Sequence, residues 1–336
     1  MPISDRAREL HDRAIIIDAH NDTLIQRLAD DRHLDMTERD ERYHLDIPRA
    51  IEGGLTCAFF MVGSSDLDQA LTLVDGTWRL AEEHADQFLY ATSADEIERA
   101  KAEGKLAAIG QLESCTCLNG SLATLRNLYR LGVRVANLTH GEGGDGTTQL
   151  QPSIFDYTTP ADREEARELP GLSDFGREVI DECNRLGMIL DLAHASDATF
   201  YEAVELAELP PIFSHGTVFA QTPHWRGLTD DQIRLLGERG GVLGMAFHPL
   251  FIDRENPTMD RLIDHIQHVV DLVGPDHIGI GADYDGMGSH TPIPSAVERI
   301  PEFTEALVQR GFDDKTILKV LGGNFMRILR QLPQSG

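Results

Sequence analysis

Positive charge is what this sequence has least of. Its 336 residues carry 30 Lys and Arg against 56 Asp and Glu, a formal net charge of -26. The lysines are Lys101, Lys105, Lys315 and Lys319 and no others. So acidic a chain repels phosphate backbones and anionic lipid headgroups, so neither nucleic acid nor a membrane is an expected partner. Cysteine is scarce as well. Cys57, Cys115, Cys117 and Cys183 are too few and too scattered for a disulfide framework, and the C-x-C at 115–117 has no second pair to complete a structural zinc site. Long apolar runs are missing: no stretch of about 18 such residues exists to span a bilayer. The opening MPISDRARELHDR is charged where a signal peptide is apolar, so a cytoplasmic location is the expectation. With no internal repeat, low-complexity tract or linker, residues 1–336 read as one domain.

What the chain does have is a strand-then-helix rhythm. Apolar runs bounded by turn residues predict eight strands: AIIIDAHND (14–22), GGLTCAFFMVG (53–63), LAAIGQLE (106–113), VRVANLTH (133–140), MILDLAH (188–194), PIFSH (211–215), VLGMAF (242–247) and HIGIGAD (277–283). Helical patterns fall between them, at 66–87, 93–103, 121–131, 171–186, 196–206, 229–239 and 260–273, with two more at 301–310 and 314–332. Eight such units predict a single α/β domain, a (β/α)8 TIM-type barrel. A doubly wound dinucleotide fold would need a Gly-rich loop after the first strand, and none is there. The rhythm lapses between 141 and 170, a Gly-, Thr- and Asp-rich stretch long enough to suggest a wall or lid of an active site.

The ends of those strands carry the chemistry. His20 and Asp22 close the first, Glu113 the third, His140 the fourth, His194 the fifth, His215 the sixth and Asp283 the eighth. In a barrel these ends ring one mouth, where active sites of the fold lie. Fourteen histidines placed at random would rarely fall on four strand ends. Three imidazoles and two carboxylates exceed the needs of one tetrahedral ion, and a carboxylate can bridge two. The natural partition puts His20 and Asp22 on one ion, His194 and His215 on the other, and Glu113 between. None of the lysines ends a strand, so a carboxylated lysine is not available as the bridge. Nitrogen and oxygen donors without thiolate favour zinc, with manganese, cobalt or iron compatible. Paired ions about 3.5 to 4 Å apart would share a water with a pKa near 7, a hydroxide nucleophile at neutral pH.

All of these residues but Glu113 sit within segments that carry a family resemblance. IIIDAHND, LTH, GLSDFGREVIDECNRLGMILDLAHAS, PIFSHG, LTDDQIRLLGERGGV, DHIQHVVDLVGPDHIGIGADYDG and VLGGNFMRILR run from residue 15 to 330. Together the chain resembles the membrane (renal) dipeptidase family of zinc metallopeptidases, within the amidohydrolase-like barrels. The resemblance implies two zinc ions held by His20, Asp22, Glu113, His194 and His215 and bridged by Glu113. It implies His140 near the reacting carbonyl, Arg226 at the substrate's terminal carboxylate, Asp283 as the proton carrier and a possible homodimer. The implied activity is hydrolysis of dipeptides, including those with a C-terminal D-residue, by a hydroxide shared between the metals. Asp285 competes with Asp283 for the proton role, but Asp283 ends the apolar run and matches the family position. His224, His248 and His290 read as ordinary loop residues. The chain departs from the family pattern at Ser114 after Glu113, Gly216 after His215, Gly227 after Arg226, and Phe251 where the kidney enzyme has tyrosine. Two other readings fit the same residues: a related hydrolase acting on another small amide, lactam or lactone, and a barrel that has lost catalysis and only binds.

Overall fold

A computed structural model describes residues 2–31, 34–140 and 171–333. The expected loop at 141–170 lies outside the described residues. Ten strands form the sheet: β1 (Ile16–Asn21), β2 (Leu55–Gly63), β3 (Phe88–Tyr90), β4 (Leu106–Glu113), β5 (Val133–Asn137), β6 (Ile189–Asp191), β7 (Ile212–Val218), β8 (Gly227–Leu228), β9 (Val242–Met245) and β10 (Ile278–Ile280). All pairings are parallel, in the order β2-β1-β10-β9-β7-β6-β5-β4, and β2 pairs with β4 to close the ring. The eight strands expected from sequence are the eight of this closed barrel. β3 pairs with the first residues of β4, and β8 pairs with the end of β7. Both escape a sequence reading because two or three residues carry no period.

The barrel holds its shape through two apolar layers. Ile17, Ala19, Cys57, Phe59, Ala107, Ile109, Val135, Ile189, Ile212 and Val242 form one buried cluster with Phe325, Met326, Ile328 and Leu329. Their strand neighbours Ile16, Ala58, Phe60, Ala108, Leu190 and Leu243 belong to the other, shared with the helices. Alternation along each strand separates a lumen face from a helix face. Phe325 sits against Phe59, ring centroids 5.9 Å apart, and plugs the lumen at the strands' N-terminal end. The C-terminal helix expected at 314–332 is broken to allow this, into Asp314–Leu318 and Asn324–Leu329 with a wide turn between. A Cβ at Gly322 in that turn would lie 2.1 Å from the Ile15 carbonyl oxygen, so glycine is what lets the turn lie against the β1 backbone.

Local signals set the helices. Ser93, Ser173, Ser196, Thr229 and Thr258 each accept a hydrogen bond from a backbone N–H of the first turn. Thr229 and Gln232 complete a reciprocal capping box. Gly104 and Gly187 end their helices in the left-handed region. No helix of the described residues is long and apolar enough to cross a membrane.

Candidate metal centre and active site

On β4 the lumen face runs Ala107, Ile109, Gln111, Glu113, so two-residue periodicity carries the apolar layer upward into polar groups at the mouth. On β1 the period is interrupted. Asp18 pairs with Ala58 and Asn21 with Phe60, one extra residue on β1. Such a bulge re-aims a side chain, and His20 leaves the alternation of Ile17 and Ala19 to meet Glu113. His194 and Asp283 lie beyond the ends of β6 and β10 and turn through left-handed backbone, φ 66° and 62°. His215 lies inside β7 and not at its end, because β8 extends the pairing of β7 by two residues.

Glu113 is the meeting point. Its Oε1 lies 3.2 Å from His20 Nε2, 3.2 Å from His194 Nε2, 3.5 Å from His215 Nε2 and 3.9 Å from His140 Nε2. His20 Nε2 is 3.8 Å from Asp22 Oδ1 and 4.0 Å from Asp283 Oδ1. The His20 and His215 rings stack at 3.8 Å. All seven residues expected from sequence at the barrel mouth therefore converge. His140 is the most open, its side chain half exposed, while His20 and His215 are buried. Asp285 stands apart: its carboxylate accepts from the Thr23 hydroxyl at 2.6 Å and from the His44 backbone N–H at 2.8 Å, which leaves Asp283 as the aspartate facing the cluster.

The donor set fits divalent metal. Three overlapping groups, His20–Glu113–His215, Glu113–His140–His194 and His20–Asp22–Asp283, each bring ligand atoms within 4.8 Å of one another. His20 Nε2 and Asp22 Oδ1 are buried without a hydrogen-bond partner. Orphaned polar atoms that converge in this way are costly unless something binds them. The charge balance is equally unsettled. Burial opposes a charge on His20, yet Glu113 and Asp22 outweigh it and hold its pKa well above the ordinary value. Burial and then neighbouring positive groups push His194 and His215 well below theirs. Burial raises Asp22, with Glu113 adding to it, and burial lifts Asp283 to about 8.

Arg226 is 2% exposed. One guanidinium nitrogen donates to the His215 carbonyl at 2.8 Å, and Nη1 has no partner among the described residues. Burial lowers its pKa to about 10, so it remains a cation with a free donor beside the cluster. The residues a strand-end reading misses form a layer behind the ligands. Asp191, Gln111 and Ser214 are all fully buried there. An aspartate inside the apolar run MILDLAH was the available signal. His224 and His248 also prove less ordinary than their loops suggest. They lie against Phe251, ring centroids 4.4 and 4.0 Å apart, and burial takes their pKa values to about 3 and 4. They are neutral aromatic surface near Arg226.

The family model for membrane dipeptidase, peptidase family M19, matches residues 4–335. This chain belongs to the membrane dipeptidase family. The dipeptidase tcpJ of Claviceps purpurea is 30% identical over 341 aligned positions, covering 94% of this chain and 76% of that protein. A solved M19 metallopeptidase described as dipeptidase AC superposes with a TM-score of 0.85 at 24% identity, covering 95% and 98% of the two chains. A metallopeptidase from Rhodobacter sphaeroides superposes at 0.82 with 23% identity, covering 95% and 100%. The membrane dipeptidase relatives share the closed barrel, and the chain is a hydrolase of the dipeptidase type whose family implies dependence on metal.

Proposed function

We propose that this protein is a binuclear zinc dipeptidase that cleaves dipeptides with a free C-terminal carboxylate, D-residues at that position included. The observation that carries this reading is the convergence of four imidazoles on one oxygen of Glu113. His20 and Asp22 would hold one ion and His194 and His215 the other, with Glu113 placed to serve both. Bound there, two divalent cations supply a water acidified to a pKa of about 7 and a Lewis acid for the scissile carbonyl.

The chain's own groups do the rest. Arg226 holds the substrate's terminal carboxylate through Nη1, and its buried charge would favour a free acid over an amide. His140, at the open side of the cluster, donates to the carbonyl oxygen as negative charge develops on it. Asp283 Oδ1 takes a proton from the attacking water and passes it to the leaving amine, so that one water is consumed and one C–N bond breaks. The Rhodobacter sphaeroides relative was solved with a phosphinate mimic of the dipeptide L-Ala-D-Ala, which supports a D-residue at the second position.

The test is a dipeptide library with L and D residues at each position, each compound paired with its C-terminal amide, and run beside N-acyl amino acids and lactones. Zinc-dependent turnover of free-acid dipeptides, at least about 100-fold above the amides, is expected from loss of a charge-assisted contact. Faster turnover of lactones or N-acyl amino acids would assign the barrel to another hydrolase class. No turnover of any compound with zinc present would leave a binding module.

A further inference from the structure

Behind the cluster, one carboxylate reaches both halves of it. Asp191 ends β6 with no exposed surface. Its Oδ2 accepts from Ser214 Oγ at 2.6 Å, Gln111 Nε2 at 2.8 Å and Asn137 Nδ2 at 3.3 Å. Its Oδ1 accepts from the backbone N–H groups of Ser214 and Ala193 at 2.9 and 3.0 Å. No lysine or arginine of the described residues pairs with it. Five donors around an acceptor-only group leave no freedom in how its neighbours are oriented.

Two chains of hydrogen bonds follow from that fixed point. Because Gln111 must turn its amide N–H toward Asp191, its Oε1 faces His20 Nδ1 at 2.8 Å and can only accept. His20 therefore keeps a proton on Nδ1, and Nε2 is the nitrogen that would give a lone pair to an ion once its own proton has left. Because Ser214 must point its hydroxyl hydrogen at Asp191, its oxygen accepts from His215 Nδ1 at 2.8 Å. His215 is held in the same tautomer. One chain ends on each half of the proposed metal pair, whereas His194 Nδ1 has no partner among the described residues. We infer that Asp191 is a positioning residue that fixes His20 through Gln111 and His215 through Ser214 in the metal-ready tautomer, linking the readiness of the two ion sites to one buried charge. The inference rests on the metal-binding reading above.

Asp191→Asn separates this from simple packing. An asparagine of the same shape must place its own N–H groups against either the two backbone donors or the side-chain donors. The backbone cannot turn away, but Ser214 and Gln111 can. They would then reverse, and both imidazoles would carry their proton on Nε2, where a ligand needs a lone pair. Ligand-orienting groups of this kind typically change metal affinity by about 10–100-fold. The experiment is zinc affinity by chelator competition, together with long-range proton–nitrogen spectra of the histidines in the metal-free protein, recorded at a pH high enough for His20 to be neutral. D191N is expected to weaken both ions at least tenfold and to move His20 and His215 to the other tautomer. Gln111→Leu should move His20 and weaken one ion, and Ser214→Ala should move His215 and weaken one ion. These two carry the test if D191N does not fold. If the wild type takes up two zinc ions while the variants keep its tautomers and affinities, the role of Asp191 is overturned. A wild type that takes up no zinc overturns the metal reading itself.

Discussion

At the scale of single residues, the mouth of the barrel is built where backbone or space is restricted. Ser114 follows Glu113 with φ 95°, a conformation that favours glycine. Its hydroxyl accepts from the Thr116 N–H at 3.2 Å, a cap that glycine replaces at a cost of only a few tenths of a kcal/mol. Ser114→Gly should therefore stabilise the fold by about 1 kcal/mol, read as a higher urea midpoint; a lower midpoint would show that the hydroxyl outweighs the strain. Gly286 has the opposite character. A Cβ there would lie 2.3 Å from both Asp22 Oδ2 and Asp283 Oδ1, so Gly286→Ala must push apart two carboxylates of the cluster. Dipeptide kcat/KM should fall by about 100-fold, since small displacements of reacting groups cost that much, while the circular dichroism stays native. Unchanged kinetics would mean the two carboxylates need not sit so close.

Among elements, the lower lumen is the most heavily loaded. Phe325 reaches into it from the C-terminal helix and meets Phe59, and a Cβ at Gly279 would strike its ring at 2.4 Å. Phe325→Ala should leave a cavity and cost about 3–5 kcal/mol, measured by urea unfolding, with zinc stoichiometry unchanged because the cluster lies at the other end of the strands. Element scale is also where reading from sequence succeeds and stops. The eight barrel strands are legible because each is an apolar run long enough to show its period, and the ligands are legible because they stand where those runs end. The bulge that turns His20 inward is not legible, since a one-residue slip depends on pairing with β2. Nor are Gln111 and Ser214 visible as partners of Asp191, because three different strands bring them together. The break at Gly322 was hidden for a similar reason: its cause is the β1 backbone, some three hundred residues earlier in the chain.

For the molecule as a whole, acid should loosen the fold well before most carboxylates titrate. His265 is buried, accepts at Nδ1 from the Val218 N–H at 3.1 Å and donates from Nε2 to the Ile252 carbonyl at 2.9 Å. Burial lowers its pKa from the ordinary 6.5 to about 4. A histidine held neutral in the fold protonates first in the unfolded chain, so its contribution is intact above about pH 6.5 and is lost as pH falls toward 4. At pH 5 the loss amounts to about 2 kcal/mol. His265→Gln should reduce the drop in unfolding free energy between pH 7.5 and 5 by about that much; an identical drop in both proteins would place the acid sensitivity elsewhere. The net charge of -26 works in the other direction, because protonation relieves self-repulsion, so the comparison must be made against the variant and not against pH alone.

At this same scale the central claim is that side chains from both ends of the chain make one site for two ions, joined at Glu113. The most direct measurement is calorimetric titration of the metal-free protein with zinc, wild type beside Glu113→Gln. Two ions per chain for the wild type, and weakening of both in the variant, is the expected result. A single ion in the wild type, or a variant that still binds two with unchanged affinity, would contradict it.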